Sequence, residues 1–593
     1  MKVLLVAINA RYVHTNLAVR YLSSNLEHHD VQVQEYTINH YSHEILEKIF
    51  TTGADVIAFS CYIWNIELVL KVVASLKKVH PESVIVLGGP EVSYDSEKVM
   101  KQNDAIDFIL SGEADVSFSV LMDALENNDD YTGIPQLTFR ARGKVYASPP
   151  VTDMKHENQI PVAYKDDHGF NPHQIYYYET SRGCPYHCQF CLSGNDTGLI
   201  LMPLQRVYRD LSLFINHQVK QVKFVDRTFN VVPERTLSIW RFIKENDNGI
   251  TNFHFEISTS SLTEEMMDFL ETVPEGLFQF EIGVQTTNEE ALEAIHRRTD
   301  LNADFHKIRR LKRMNTIHLH VDLIAGLPHE DFFSFRQSFN QVFNLNTDML
   351  QLGFLKLLKG SGLRSKQLEY EYVYQDEPPY EVLSTHKMTF GELLRLKGIE
   401  NVLERYWNTG KFRNTIQLVI NDTQIEPFAF FEGLAERLNM ENPEGNKLNQ
   451  NEQVLYLKKH LENLMPGRSE FIDAAIIFDV AASGLSKEIG SKMDATASKM
   501  IKEKTHNLLH DDLFVKAYFQ DMWDEPVKKM LPYIRLVQMP KGFLLNRDNS
   551  LAYEESHNQF LWVAFIYPRK SMRTNHISVI VNIKEDGDES STG

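Results

Sequence analysis

Gln174-Ile175-Tyr176-Tyr177-Tyr178-Glu179-Thr180-Ser181-Arg182-Gly183-Cys184-Pro185-Tyr186-His187-Cys188-Gln189-Phe190-Cys191 leads from a strand-like run into three clustered cysteines. Thiolates are soft ligands that select zinc, Cu(I) or iron–sulfur clusters. Structural zinc takes four closed ligands. The fourth cysteine, Cys61, lies far away inside a strand pattern and reads as a small buried hydrophobe. His187 offers a fourth zinc ligand, though from an unusual position inside the triplet. Three thiolates on a four-iron cluster leave one iron open, where a small molecule can chelate and receive an electron. A zinc knuckle is the alternative.

Working outward, strand-like runs at 174–180, 221–226, 252–257, 278–284, 317–324 and 349–355 alternate with helical patterns near 204–217, 233–246, 263–272, 288–296, 302–314 and 330–343. This is the pattern of a partial β/α barrel, whose sites form at the C-terminal ends of its strands. Upstream, Val- and Ile-rich runs at 2–8, 31–38, 54–60, 83–88 and 106–110 alternate with helical patterns near 16–27, 43–50, 65–79, 94–102 and 114–127. Near-continuous apolar strands between helices predict a doubly wound parallel sheet. Residues 376–584 read as mainly helical, with strand-like runs at 559–567 and 576–583. Their aromatics, Tyr406, Trp407, Trp523 and Tyr533, read as core rather than as a lid. The fold class is therefore α/β: a Rossmann-like domain (1–140), a linker (141–171), a (β/α)6 barrel (172–375), a mainly helical domain (376–584) and an acidic tail (585–593) that reads as disordered.

Composition narrows the partners. Lys plus Arg number 61 against 80 Asp plus Glu, a net charge of −19, which argues against nucleic acid as a partner. Met1–Ile8 is apolar but breaks at Asn9 and Arg11, too soon for a signal-peptide core, and no run is long enough to span a membrane. Only four cysteines occur, three of them together, unlike a disulfide scaffold. A cytoplasmic protein is expected.

The C-x₃-C-x₂-C spacing after a first barrel strand resembles the radical S-adenosylmethionine superfamily over roughly 172–375. The resemblance implies that Cys184, Cys188 and Cys191 bind a [4Fe–4S] cluster and that Phe190 flanks the adenine of S-adenosylmethionine. The open iron would chelate that molecule, and one electron would cleave it to methionine and a 5′-deoxyadenosyl radical. A flavodoxin or ferredoxin would supply the electron.

The later strand ends carry further candidates. Phe280-Glu281-Ile282-Gly283-Val284-Gln285-Thr286 looks like the family's Gly-Val-Gln-Ser element with Thr in place of Ser, and Gln285 suits a ribose edge. Arg297, with Arg298 beside it, would pair with the methionine carboxylate. Gly326 would open space over the adenine. Glu256 is a candidate for a ribose or amine contact, or a structural carboxylate. Asp226, with Arg227 beside it, resembles the Asp-containing version found in cobalamin-linked members, and both are substrate-contact candidates. A capping or structural Asp226 is the alternative.

Three loops of the first domain end Phe59-Ser60-Cys61-Tyr62, Leu87-Gly88-Gly89-Pro90-Glu91-Val92-Ser93 and Ser111-Gly112-Glu113. Alone they suit any flavodoxin-like sheet. Directly before a radical barrel they resemble the cobalamin-binding domain of cobalamin-dependent radical enzymes, in a bacterial subgroup whose C-terminal extension has no assigned role. That implies cobalamin contacts at Ser60, Tyr62, Gly88, Gly89, Pro90, Glu91, Ser93, Gly112 and Glu113. The loop Asn9–Leu17 lacks the family's Asp-x-His-x-x-Gly, so His14 is expected to be solvated or helix-capping rather than a cobalt ligand. The implied reaction is methylation of an unactivated carbon in a small-molecule substrate. The alternatives are a rearrangement or oxidation without methyl transfer, and a non-catalytic corrinoid or iron–sulfur carrier or redox sensor.

Overall fold

Alternating burial builds the first sheet. In β1 (Lys2–Asn9), β3 (Val56–Ser60) and β4 (Val84–Gly88), the residues Leu4, Val6, Ile8, Ile57, Phe59 and Leu87 enter one core. Their neighbours Val3, Leu5, Ala7, Ala58 and Val86 enter a second core on the opposite face. Both faces are covered by helices, so the strands read as unbroken apolar runs. With β2 (Asp30–Thr37) and β5 (Phe108–Leu110), these strands are parallel. The order is β2-β1-β3-β4-β5-β6-β7. Its switch point, where ligands enter such sheets, falls between the ends of β1 and β3.

The last two strands correct the expected linker. β6 (Leu137–Ala141) and β7 (Lys144–Ala147) are antiparallel and extend the sheet past residue 140. Arg142 and Gly143 have φ of 49° and 73°, as a two-residue hairpin turn matching strand twist requires. β7 is an exposed edge strand with little apolar pattern, which hid it in the sequence.

The computed structural model describes residues 1–26, 28–148, 160–166, 169–195, 198–484, 498–546, 550–567 and 577–580. The expected tail 585–593 and Pro149-Pro150 of the linker lie outside these residues. Two units divide the chain: Met1–Lys307 with Gly326–Asp331 and Phe354–Thr389, and Ile308–Ala325 with Phe332–Gly353 and Phe390–Gly593. Among the described residues no helix is long and apolar enough to cross a membrane.

Six strands follow as expected: β8 (Ile175–Tyr178), β11 (Gln221–Phe224), β12 (Asn252–Ile257) and β13 (Phe278–Gln285) build the second sheet in the first unit, and β14 (His318–Ala325) and β15 (Met349–Phe354) come next in the chain. β8, β11, β12 and β13 are parallel neighbours in that order. Their outward residues Phe255, Phe278 and Phe280 pack on Trp240 and on one another, and Phe224 stacks on Phe255 at 4.4 Å. The alternate residues Tyr177, Lys223, His254, Glu256, Glu281, Gly283 and Gln285 share the inner face. An apolar outer layer and a polar inner one follow from the two-residue strand period.

The second unit is mainly helical, with helices Phe390–Val402, Arg413–Thr423, Pro427–Glu441, Gln450–Leu464 and Ser469–Ala482. Tyr406 and Trp407 are core residues there, whereas Trp523 is 57% exposed and does not fit the core reading. A strand absent from the sequence reading, Ile534–Met539, pairs antiparallel with Leu561–Ile566.

His460 sits buried against Phe430 in this unit, where a Cβ at Gly433 would come 3.0 Å from its ring. Burial lowers its pKa from 6.5 to about 4, with Arg437 acting in the same direction. A depressed folded pKa favours the fold above the unfolded value, and that favour is lost as pH falls through the folded one. This unit is expected to lose about 3 kcal/mol of stability between pH 7 and pH 4 from His460 alone. Chemical denaturation at a series of pH values should show that loss, and His460→Gln should flatten it.

Candidate functional site

The cysteine loop is pinned where it leaves the barrel and where it returns. Ser181–Gly183 (β9) and Leu199–Leu201 (β10) form an antiparallel ribbon at its neck. Gly183 has φ 88°, and a Cβ there would lie 2.2 Å from the Gly198 carbonyl, so only glycine closes the neck. Below it, Asp226 is 1% exposed. Its carboxylate accepts from the Thr180 N–H (2.9 Å), the Thr180 hydroxyl (2.7 Å) and the Ser181 hydroxyl (2.6 Å). Burial raises its pKa, and these three donors pull the other way. Asp226 is therefore not a free substrate contact. Both its oxygens hold the strand end that launches the cysteines.

Inside the loop, His187 Nδ1–H donates to the Gly194 carbonyl at 3.1 Å, and a Cβ at Gly194 would lie 2.6 Å from the Cys188 carbonyl. His187 thus folds the loop. The Gln189 N–H donates to the Ile295 carbonyl (3.0 Å), docking the loop on the end of helix Glu289–Ala294. The next residues put Arg297 at the site. Its guanidinium donates to the Gly283 carbonyl and lies near enough to the Cys188 thiol for its charge to act on it. Burial raises the Cys188 pKa, Arg297 opposes it, and the charges of Cys191 and Cys184 add to it. Arg298 is exposed, so Arg297 is the residue turned inward. The three thiols act on one another, though among the described residues no three His, Cys, Asp or Glu side chains are gathered closely enough for a single ion. Cys61 is fully buried in the first core, as a small hydrophobe.

Gln285 closes β13 at φ 73°, an unusual backbone for a side chain of its size. It curls over Gly283, where a Cβ would lie 2.0 Å from its Nε2. Its Oε1 is buried without a hydrogen-bond partner. A buried acceptor left unpaired costs roughly 1–3 kcal/mol unless a ligand satisfies it. On the same face Lys223 Nζ lies 3.0 Å from Glu281, and His254 Nε2 lies 3.1 Å from that carboxylate. Burial disfavours the Lys223 charge, but Glu281 and then Glu256 outweigh it and raise its pKa. Phe190 is half-buried in the loop. Gly326 differs from expectation: a Cβ would make ordinary contact with Leu355 and Val382 at 3.7 Å, so φ 89° rather than space requires glycine.

The first-domain candidates do gather at the C-terminal strand ends, yet several are engaged with protein. Gly89 has φ 105°, and a Cβ would lie 2.5 Å from the Cys61 carbonyl, so it packs two loops together. Ser93 donates to the Gly89 carbonyl (2.8 Å) and accepts from the Gly112 N–H (3.0 Å). The Ser60 hydroxyl accepts from Asn16 Nδ2 at 3.3 Å. Tyr62 stacks on Trp64 at 4.4 Å, and Pro90 opens the short turn Pro90–Ser93 that carries buried Glu91. His14 does not cap the following helix, which Asn16 caps; it is half-buried, with Nδ1 2.7 Å from the Tyr177 hydroxyl.

Sequence reasoning missed Arg182. Its guanidinium reaches Asp115 (2.5 Å), Glu179 (2.7 Å) and Glu113 (3.3 Å), tying the cysteine neck to the first domain. Burial works against its charge, but Glu179 and Asp115 more than offset it. Only its position beside the cysteines marked it.

Three family models match the chain: the B12 binding domain at residues 3–122, the Radical SAM superfamily at 178–342, and a protein of unknown function (DUF4080) at 368–549. The chain is 28% identical over 308 residues to the 2-(S-pantetheinyl)-carbapenam-3-carboxylate methyltransferase of Streptantibioticus cattleyicolor, covering 48% of this chain and 44% of that one. It is 26% identical over 348 residues to the cobalamin-dependent radical SAM methyltransferase TokK of Streptomyces tokunonensis, covering 55% and 50%. The chain thus spans about half the length of these curated relatives. In fold it is similar to the cobalamin-dependent S-adenosylmethionine radical enzyme OxsB, solved with aqua-cobalamin and S-adenosylmethionine, at TM-score 0.55 and 15% identity over 88% of this chain and 84% of that one. The methyltransferase TsrM from Kitasatospora setae gives TM-score 0.54 and 16% identity over 64% and 80%.

Arg182→Ala leaves three carboxylates facing one another, two of them nearly buried. Breaking a buried pair costs about 3–5 kcal/mol, and chemical denaturation should register a loss of that order.

Proposed function

We propose that this chain, which joins a B12-binding domain to a radical SAM domain, is an enzyme that reductively cleaves S-adenosylmethionine and methylates an unactivated carbon of a small molecule. The main support is the cysteine loop docked on Ile295, two residues before Arg297, whose guanidinium holds the Gly283 carbonyl beside the unpaired Gln285 Oε1. The donor set suits the implied groups. Three soft thiolates that share one loop, with His187 committed to the loop backbone, fit a [4Fe–4S] cluster at Cys184, Cys188 and Cys191. The cluster, when bound, supplies the electron that breaks the carbon–sulfur bond, and cobalamin supplies the methyl group.

The chain's own residues bind and orient. Arg297 offers a charge-assisted fork to the methionine carboxylate. Gln285 Oε1 accepts from a ribose hydroxyl and so gains the partner it lacks in the protein. Gly283 leaves room for that side chain. Phe190 and the Gly326 turn flank the adenine, and Glu256 stands on the inner face near Lys223. For the corrinoid, the loops bearing Ser60, Tyr62, Gly88, Gly89, Pro90, Glu91, Ser93, Gly112 and Glu113 form the rim at the strand ends. His14, with Nδ1 on Tyr177, is read as no cobalt ligand. Arg227, next to the anchor Asp226, is the remaining substrate-contact candidate. A small ferredoxin or flavodoxin in a reducing cytoplasm suits the electron requirement.

Anaerobically reconstituted protein should convert S-adenosylmethionine to 5′-deoxyadenosine under reduction, and Cys188→Ala should abolish both the brown cluster absorbance and the product. Retained cleavage in that variant would refute the reading. Arg297→Ala should weaken S-adenosylmethionine binding roughly ten- to hundred-fold, as the loss of a charged hydrogen bond of about 1.5–3 kcal/mol implies. Isothermal titration against the intact cluster form measures it.

A further inference from the structure

Segment Leu355–His386 belongs to the first unit, and its later part opens the stretch matched by the family of unknown function. It touches three loops that the proposed function assigns to three different tasks. At the cysteine loop, the Leu363 N–H donates to the Gln189 carbonyl at 2.9 Å. A Cβ at Gly362 would lie 2.4 Å from Gln189 Oε1, so glycine makes room for that side chain. At the Gly326 turn, the Tyr372 hydroxyl donates to the Gly326 carbonyl at 3.2 Å. At the Gly-Gly-Pro-Glu loop of the first domain, the Tyr380 hydroxyl donates to Glu91 Oε2 at 2.7 Å. Lys359 Nζ donates to the Glu91 carbonyl (3.0 Å) and to Asp95 (3.1 Å). A Cβ on Gly360 would strike the Tyr94 ring at 2.2 Å.

The segment is stiff between these contacts. The Leu357 N–H donates to the Tyr380 carbonyl and the Val382 N–H to the Leu355 carbonyl, each at 2.9 Å. Arg364 donates to the Leu357 carbonyl at 2.6 Å and lies 4.7 Å over the Tyr380 ring. Glu91 is 2% exposed, so its carboxylate serves the segment and not solvent. Buried ionic contacts are a costly way to gain stability, and their best-attested use is to fix one arrangement. A methyl transfer between two bound groups needs such fixing, because a small misplacement costs much of the rate.

We infer that residues 355–386 are a brace that holds the corrinoid loop in register with the cysteine loop, with Tyr380–Glu91 and Lys359–Asp95 as its joint. The inference rests on the proposed function. Tyr380 and Lys359 are positioning residues: neither is among the groups assigned to bind a cofactor, and each acts through the loop that carries Glu91.

The test uses the full chain, anaerobically reconstituted, as wild type, Tyr380→Phe, Lys359→Met and the double variant. Hydroxocobalamin affinity is read by absorbance titration, alongside iron content, the thermal midpoint and the electron paramagnetic resonance spectrum of the bound, one-electron-reduced corrinoid. Each single variant should weaken corrinoid binding about tenfold and broaden that spectrum, with iron content unchanged and the thermal midpoint lowered by no more than one buried bond implies. The double variant should fall short of the product of the two losses, as partners in one joint do. Wild-type affinity and spectrum in both single variants would overturn the brace. So would losses that appear only with loss of iron, since those mark general scaffolding. A wild-type chain that binds no corrinoid would instead overturn the functional reading beneath it.

Discussion

Asp226 fixes where the three cysteines can go. Its buried carboxylate takes the Thr180 N–H and the hydroxyls of Thr180 and Ser181, the residue before the β9–β10 ribbon and the first within it. A carboxylate stripped of water must find such donors, and once it has found them the chain around it has little freedom. The ribbon closes above it at Gly183, so Cys184–Cys191 forms a loop with a rigid neck. The remaining freedom is removed from the side, by the Gln189 N–H on the Ile295 carbonyl and its carbonyl on the Leu363 N–H. The thiols are thereby presented beside Arg297 and Gln285, residues contributed by a different strand and the helix after it.

The same neck ties the barrel to the first domain. Arg182, one residue before Gly183, gathers Glu113, Asp115 and Glu179. Glu113 and Asp115 follow strand β5 of the first sheet, so one guanidinium links a strand end of each sheet. On the other side of the loop, Lys359 and Tyr380 reach Glu91 and Asp95 after strand β4. The loops that rim the two sheets are thus joined by charged and polar bonds at both ends. Preorganised geometry of this kind is what a reaction between two bound groups requires.

Much of the architecture could be read along the chain, because strands buried on both faces carry near-continuous apolar runs and the intervening helices keep their period. All six barrel strands and the first five sheet strands lie within a few residues of their expected positions. The hairpin β6–β7 escaped because β7 is exposed and short. Cysteine spacing exposed the loop, and Gly283, Gln285 and Arg297 stood out through their resemblance to the family's Gly-Val-Gln-Ser element and its carboxylate-pairing arginine. Residues whose meaning depends on distant partners were not legible. Tyr380 lies 289 positions from Glu91, and Arg182 lies 67 from Asp115. Asp226 was noticed as either a substrate contact or a structural carboxylate, and sequence alone cannot tell a carboxylate facing a pocket from one facing Thr180. Gly89 was read as a cobalamin contact, and the sequence did not show that it also packs against the Cys61 carbonyl.

The central claim is a cluster held by Cys184, Cys188 and Cys191 with one iron left for S-adenosylmethionine. Electron paramagnetic resonance of the dithionite-reduced, reconstituted protein, recorded before and after S-adenosylmethionine is added, tests it most directly. A four-iron signal whose shape changes on addition is the expected result. Stoichiometric zinc with no such signal, or a cluster signal indifferent to S-adenosylmethionine, would contradict it.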